Sequence, residues 1–179
     1  LTGKTMLVTG GTSGIGKAIA TRALEAGARV AITSRREELV RQVADEIGAF
    51  GVPGDVASRD DAARVVGAVC ERFGGLTTLV NNAGVAPMAC LDETPNDVWD
   101  ETFAINVRGP FLLCRELGPM LKEGKSPAVV NVSSTLAERA IQGMAAYNAS
   151  KAALNQLTRS LALEWAPTVR VNAVMPAVV

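Results

Sequence analysis

Short apolar runs alternate with amphipathic runs along the whole of this chain, a rhythm that only a few layered folds accommodate. TMLVTG (residues 5–10) reads as a buried strand; Ile15, Ile19, Ala23 and Ala26 then recur at three- and four-residue spacing, which predicts a helix that Gly27 stops. ARVAITS (28–34) is the second strand, followed by a helix with Leu39, Val43 and Ile47 on one face. A short third strand spans residues 50–54 and leads to Asp55. A serine cap at Ser58, acids in the first turn and a glycine stop mark a helix over residues 58–75. LTTLVNNAG (76–84) is the fourth strand, and a longer helix is expected over residues 96–122 with an interruption near Gly109 and Pro110. PAVVNVSS (127–134) is the fifth strand, a helix follows from Met144 to Trp165, and TVRVNAVMP (168–176) is the sixth strand.

Strands separated by helices in this way pair in parallel through right-handed crossovers. The expected fold is α/β, a doubly wound parallel sheet with helices on both faces (Rossmann-like), and residues 1–179 make a single domain. In such a sheet the ligand lies beyond the carboxyl ends of the strands, where their order reverses. Those ends are TGGTSGIG, TSRR, GDV, NNAG, NVSS and NAVMP, so the glycine-rich and polar segments collect where a site belongs.

What the composition leaves out narrows the chemistry. There is no histidine, which removes a serine–histidine–acid triad, histidine-bound zinc and imidazole acid–base catalysis together. Proton transfer must fall to a carboxylate, a lysine, a cysteine or Tyr147, the one tyrosine. Cys70, Cys90 and Cys114 lack metal-type or redox-type spacing, so reduced thiols, no metal and a cytoplasmic setting are expected. Lys plus Arg and Asp plus Glu number 18 each, which argues against nucleic acid as a partner. No apolar run reaches the roughly 18 residues of a membrane-spanning helix and no basic, apolar leader is legible, so no membrane partner is expected.

Gly10, Gly11, Gly14 and Gly16 join the first strand to the first helix, letting the backbone turn sharply and come close to a ligand. The helix start then offers unpaired N–H groups to a phosphate. GTSGIGKA also nearly matches a P-loop, with Gly11, Gly16 and Lys17 in register, but Ala18 stands where a hydroxyl would bind magnesium. Nor is the spacing the strict G-x-G-x-x-G of dinucleotide-binding loops.

With TGGTSGIG, NNAG, NVSS and YNASK in this order, the chain resembles the short-chain dehydrogenase/reductase family over essentially its whole length. The resemblance implies reversible hydride transfer between a nicotinamide cofactor and a carbonyl or secondary alcohol substrate. By it, Gly10, Thr12, Ser13, Gly14, Ile15 and Gly16 hold the cofactor pyrophosphate, Asp55 contacts adenine, and Asn82, Ala83 and Gly84 lie against the adenosine half. Val56, Pro176 and Val179 join them as cofactor contacts. Ser134, 13 positions before the tyrosine, is the catalytic serine rather than Ser133, and Asn106 takes the position associated with a proton-relay water. Tyr147 becomes the general acid/base and Lys151 also binds the nicotinamide ribose. One helical turn separates these two residues, so they share a face, and an ammonium beside a phenol of ordinary pKa about 10 favours the phenolate.

At the end of the second strand, Ser34 replaces the acid that would accept the ribose hydroxyls of NAD, and Arg35 and Arg36 follow. Cations are unfavourable at a helix start unless an anion compensates them. NADP(H) is therefore the expected cofactor, with NAD(H) as the alternative. In the family, a proline–glycine pair leads into a substrate loop and a seventh strand; here Ala177 follows Pro176 and adopts positive φ less cheaply, and the chain is expected to lack that segment. Substrate selectivity usually resides there. A homodimer or homotetramer is expected through the long helices containing Phe103 and Leu154, positions that intramolecular core would equally explain. Two other classes stand beside the oxidoreductase: a non-catalytic dinucleotide-binding or regulatory protein of the same fold, and a P-loop NTPase.

Overall fold

The computed structural model describes residues 1–177, so Val179, expected at the cofactor, lies outside the described residues. Its strands are β1 (Thr5–Thr9), β2 (Arg29–Thr33), β3 (Phe50–Gly51), β4 (Thr78–Asn81), β5 (Ala128–Val132) and β6 (Arg170–Val174). Its α-helices are α1 (Gly14–Glu25), α2 (Glu37–Ile47), α3 (Arg59–Phe73), α4 (Asn96–Phe103), α5 (Gly109–Glu123) and α6 (Ala145–Trp165). The sheet runs β3-β2-β1-β4-β5-β6 with every pairing parallel, so the order reverses between β1 and β4. This is the Rossmann-like sheet expected from the alternation.

Successive residues of a strand point to opposite faces, and both faces here are apolar. Leu7, Leu79 and Val129 pack with Val65 and Val69 of α3, Leu113 and Leu117 of α5, and Trp165 of α6. Met6, Val8, Val30, Ile32 and Val80 pack on the other side with Ala20 and Ala23 of α1 and Val43 and Ala44 of α2. At β6 the covering is one-sided: Val171 is buried while Val174, on the opposite face, is 46% exposed.

Three local expectations need correction. In α1 the buried face is Gly16, Ala20 and Ala23, leaving Ile15 and Ala26 exposed, because small residues let the helix lie close on β1 and β2. β3 is shorter than residues 50–54, although the N–H groups of Val52 and Gly54 continue its pairing by donating to Ile32 and Ser34. The interruption of the long helix falls before Gly109, in a π-helical turn over Ala104–Arg108. Pro110 has no N–H to give the carbonyl of Asn106, and the widened turn is centred on Asn106. Leu154 is 1% exposed and belongs to the core, whereas Phe103 lines an open groove. Among the described residues no helix is long and apolar enough to cross a membrane.

Candidate active site

Thr9 ends β1 and ties it to the segment after β4. Its hydroxyl accepts the N–H groups of Asn82 and Ala83, each at 2.9 Å, and the Asn82 side-chain amide donates back to the carbonyls of Thr9 (2.9 Å) and Gly10 (3.2 Å). The glycines permit this closeness. A Cβ on Gly10, whose φ is +62°, would stand 2.9 Å from the Ala83 Cα, and one on Gly16 would stand 2.3 Å from the Gly10 carbonyl oxygen. Ser13 caps α1 without a side-chain hydrogen bond, and no acid occupies the first turn, so the helix start is open to an anion. Lys17 does not face that loop as a P-loop lysine would: its ammonium bonds both carboxylate oxygens of Glu46 on α2 at 2.7 and 2.8 Å.

From this loop a cleft of about 420 Å³ runs toward β3. Gly10, Thr12 and Ser13 form one wall, Ala83 and Gly84 another, and Ser34, Arg35, Arg36, Asp55 and Val56 line its far end. Thr12 and Ser34 are joined by a hydroxyl hydrogen bond of 3.3 Å. Asp61 holds the Asp55 loop: its carboxylate accepts the Asp55 N–H at 2.9 Å and pairs with Arg64 at 2.7 Å, and Arg64 also donates to the Pro53 carbonyl. The Asp55 N–H, then Arg64, hold the Asp61 carboxyl below its ordinary pKa. Asp61 was not among the expected site residues, although its S-x-x-D spacing from Ser58 is a capping-box signature.

A second cavity, of about 300 Å³, meets the cleft at Gly84 and Val85. Asn82, Ser134, Tyr147, Lys151, Ile15, Pro176 and Ala177 contribute to its lining. Lys151 is 4% exposed, its ammonium donates to the Val132 carbonyl at 2.8 Å, and it stands 5.6 Å from the centre of the Tyr147 ring. Burial pushes the Lys151 pKa down to about 8. Ser134 lies two residues beyond β5, its hydroxyl accepting the Leu136 N–H at 3.1 Å, whereas the neighbouring Ser133 hydroxyl donates to the Lys151 carbonyl. Pro176 extends the β5–β6 pairing by accepting the Thr135 N–H. Ser126 alone among the described non-glycine residues has a positive φ, so Ala177 meets no such strain.

Asn106 sits behind this cavity, fully buried in the π-helical turn. Its Oδ1 accepts the Val85 N–H, and its Nδ2 donates to the Val85 carbonyl and to the Ser150 hydroxyl, all at 2.9 Å. Ser150 in turn donates to the Tyr147 carbonyl at 2.8 Å. Asn106 thus ties three segments of chain together. Ser150 has no role assigned from the sequence, although it lies inside the YNASK motif that pointed to the site.

Residues 4–179 match the family model for short chain dehydrogenases. An uncharacterized oxidoreductase of Thermotoga maritima is 42% identical over 180 residues, which cover 97% of this chain and 71% of that protein. D-threitol dehydrogenase of Mycolicibacterium smegmatis is 40% identical over 185 residues, covering 100% of this chain and 71% of that one. The crystal structure of 3-ketoacyl-(acyl-carrier-protein) reductase from Brucella melitensis complexed with NADH superposes with a TM-score of 0.96 at 36% identity, covering 99% of this chain and 76% of that one.

Proposed function

This chain belongs to the short-chain dehydrogenase/reductase family, and on that premise we propose that it moves a hydride reversibly between NADP(H) and a small carbonyl compound or its secondary alcohol, with Tyr147 as the acid/base. The observation that carries this reading is the meeting of Tyr147, Lys151 and Ser134 in one cavity that shares Gly84 and Val85 with a cleft lined at its other end by Arg35 and Arg36. The residues fit a dinucleotide: a Cβ at Gly10 or Gly16 would close the loop where backbone must approach pyrophosphate, and the cleft is cationic where a 2′-phosphate would sit. When bound, the nicotinamide supplies or accepts the hydride.

The protein's own groups handle the substrate oxygen and its proton. Ser134 uses a lone pair to accept the Leu136 N–H, which leaves its O–H to donate to that oxygen. Tyr147 gives the oxygen a proton in reduction and takes it back in oxidation. One N–H of the Lys151 ammonium is spent on Val132, so two remain for the ribose and for charge developing on Tyr147. Asn106, held through its side chain by Val85 and Ser150 beside the Lys151 ammonium, would serve the water that relays the proton.

Arg35 and Arg36 support the NADP(H) preference, while the NADH in the Brucella melitensis reductase makes NADH the cofactor to test beside it. The polyol and ketoacyl substrates named for relatives are the first to assay. The reading includes a homodimer or homotetramer, supported by the groove of about 780 Å³ between α4, α5 and α6 that Phe103, Val107, Phe111 and Leu157 line. Tyr147→Phe tests the chemistry: NADPH affinity should stay within about twofold while turnover falls by about 10²- to 10⁴-fold. Unchanged turnover in that variant would sink the mechanism.

A further inference from the structure

Arg35 has a partner from elsewhere in the fold. Its guanidinium reaches from the junction of β2 and α2 to α4, where Nη1 donates to Oε1 of Glu101 at 3.1 Å. Arg36, the next residue, makes no ion pair among the described residues. In the single chain the Arg35 and Glu101 side chains are 56% and 55% exposed, Glu101 at the groove proposed above as a contact between copies, so there water competes with the pair and either side chain can change partner. A carboxylate and a phosphate ester carry the same sign of charge and seek the same guanidinium face.

We propose that Glu101 is a specificity-determining residue that competes with the cofactor 2′-phosphate for Arg35 and so narrows the preference for NADP(H) over NAD(H). The inference rests on the NADP(H) reading of the cleft. NADPH must displace Glu101 from Arg35 and then bear its negative charge nearby. NADH presents a neutral hydroxyl at that position and leaves the ion pair standing. Glu101 therefore acts only against the phosphorylated cofactor, and because the pair is exposed it modulates the choice without deciding it.

Titrating NADPH and NADH separately, by nicotinamide fluorescence, into the wild type, Glu101→Gln, Arg35→Ala and the double variant tests this. Glu101→Gln should bind NADPH about two- to fivefold more tightly and NADH unchanged. In the Arg35→Ala background that gain should vanish, since the competitor has lost what it competes for. If Arg35→Ala weakens NADPH binding but Glu101→Gln leaves it unchanged or weaker, competition is overturned and the NADP(H) reading stands. A gain that persists without Arg35 also overturns it, because Glu101 would then act on the cofactor directly. If Arg35→Ala binds NADPH as the wild type does, Arg35 takes no phosphate and the competition is overturned, whereas the NADP(H) reading falls if the wild type binds NADH as tightly as NADPH.

Discussion

The cleft that ends at Arg35 and the cavity around Lys151 are built by opposite means. In the cleft, backbone lies against backbone at Gly10, Gly16 and Ala83, and the charges at its end, Arg35 and Arg36, stand in solvent. Around the cavity three polar groups are buried and committed, Lys151 to Val132, Ser134 to Leu136 and, behind it, Asn106 to Val85 and Ser150, while Tyr147 is half-buried. A wall made of close backbone tolerates no added atom, yet its exposed cations can exchange partners at little cost. A buried hydrogen-bonded set holds one geometry and tolerates no lost partner. On the proposed function, cofactor preference would be the adjustable part of this protein and the geometry around Tyr147 the part held firm.

The comparison breaks most sharply at Gly16. Gly16→Ala drives a methyl to 2.3 Å from the Gly10 carbonyl oxygen and 2.4 Å from the Asn82 amide nitrogen, neither of them the end of a long flexible chain. Thermal unfolding should show a loss of about 1–3 kcal/mol, and NADPH affinity should fall by at least about tenfold, the equivalent of about 1.4 kcal/mol. Unaltered binding would mean that the cleft wall is not set by backbone contact. Asn106→Ala probes the other half, leaving the Val85 N–H and carbonyl without their partner at a cost on the order of 1–3 kcal/mol. Its kcat should fall further than its NADPH affinity, since Asn106 acts through Ser150 on the segment carrying Tyr147; an equal fall in both would contradict that division.

The gentlest probe is pH. Lys151 has a folded-state pKa of about 8 against an ordinary 10.5, so folding penalises its charged form. Between those values the unfolded chain still binds the proton and the folded one has released it, so the Lys151 contribution makes stability rise with pH there. Lys151→Met should abolish that rise in cofactor-free protein. NADPH binding that relies on the ammonium should weaken as pH climbs through about 8, the Lys151 value in cofactor-free protein, and a flat profile would show that the charge on Lys151 is not used.

Much of this was legible along the chain, for reasons that particular elements make plain. The six strands are where their apolar runs put them, and Ser58 caps α3 as its spacing implied, because its hydroxyl needs only the N–H of Asp61 three residues on. The buried face of α1 was misread because Ile15 and Ala26 fit the helical period as well as Gly16 and Ala20 do. What decides between them is how near the helix can come to the sheet, and the smaller residues allow the nearer approach. The break in the long helix was expected from Pro110, yet its form as a wide turn carrying Asn106 depends on Val85 and Ser150, which lie 21 and 44 residues away.

By itself, then, the sequence determined the alternation of elements, the parallel sheet, and which loops gather at the candidate site. Periodicity, capping and glycine placement act between near neighbours, and near neighbours are what a sequence displays. Only the tertiary structure decided that Thr9 is bonded to Asn82, that Asn106 reaches Ser150, and that Arg35 is held by Glu101 66 residues away. Those pairs exist because helices and loops from distant parts of the chain converge at one end of the sheet, and their energies depend on distances that no local pattern encodes.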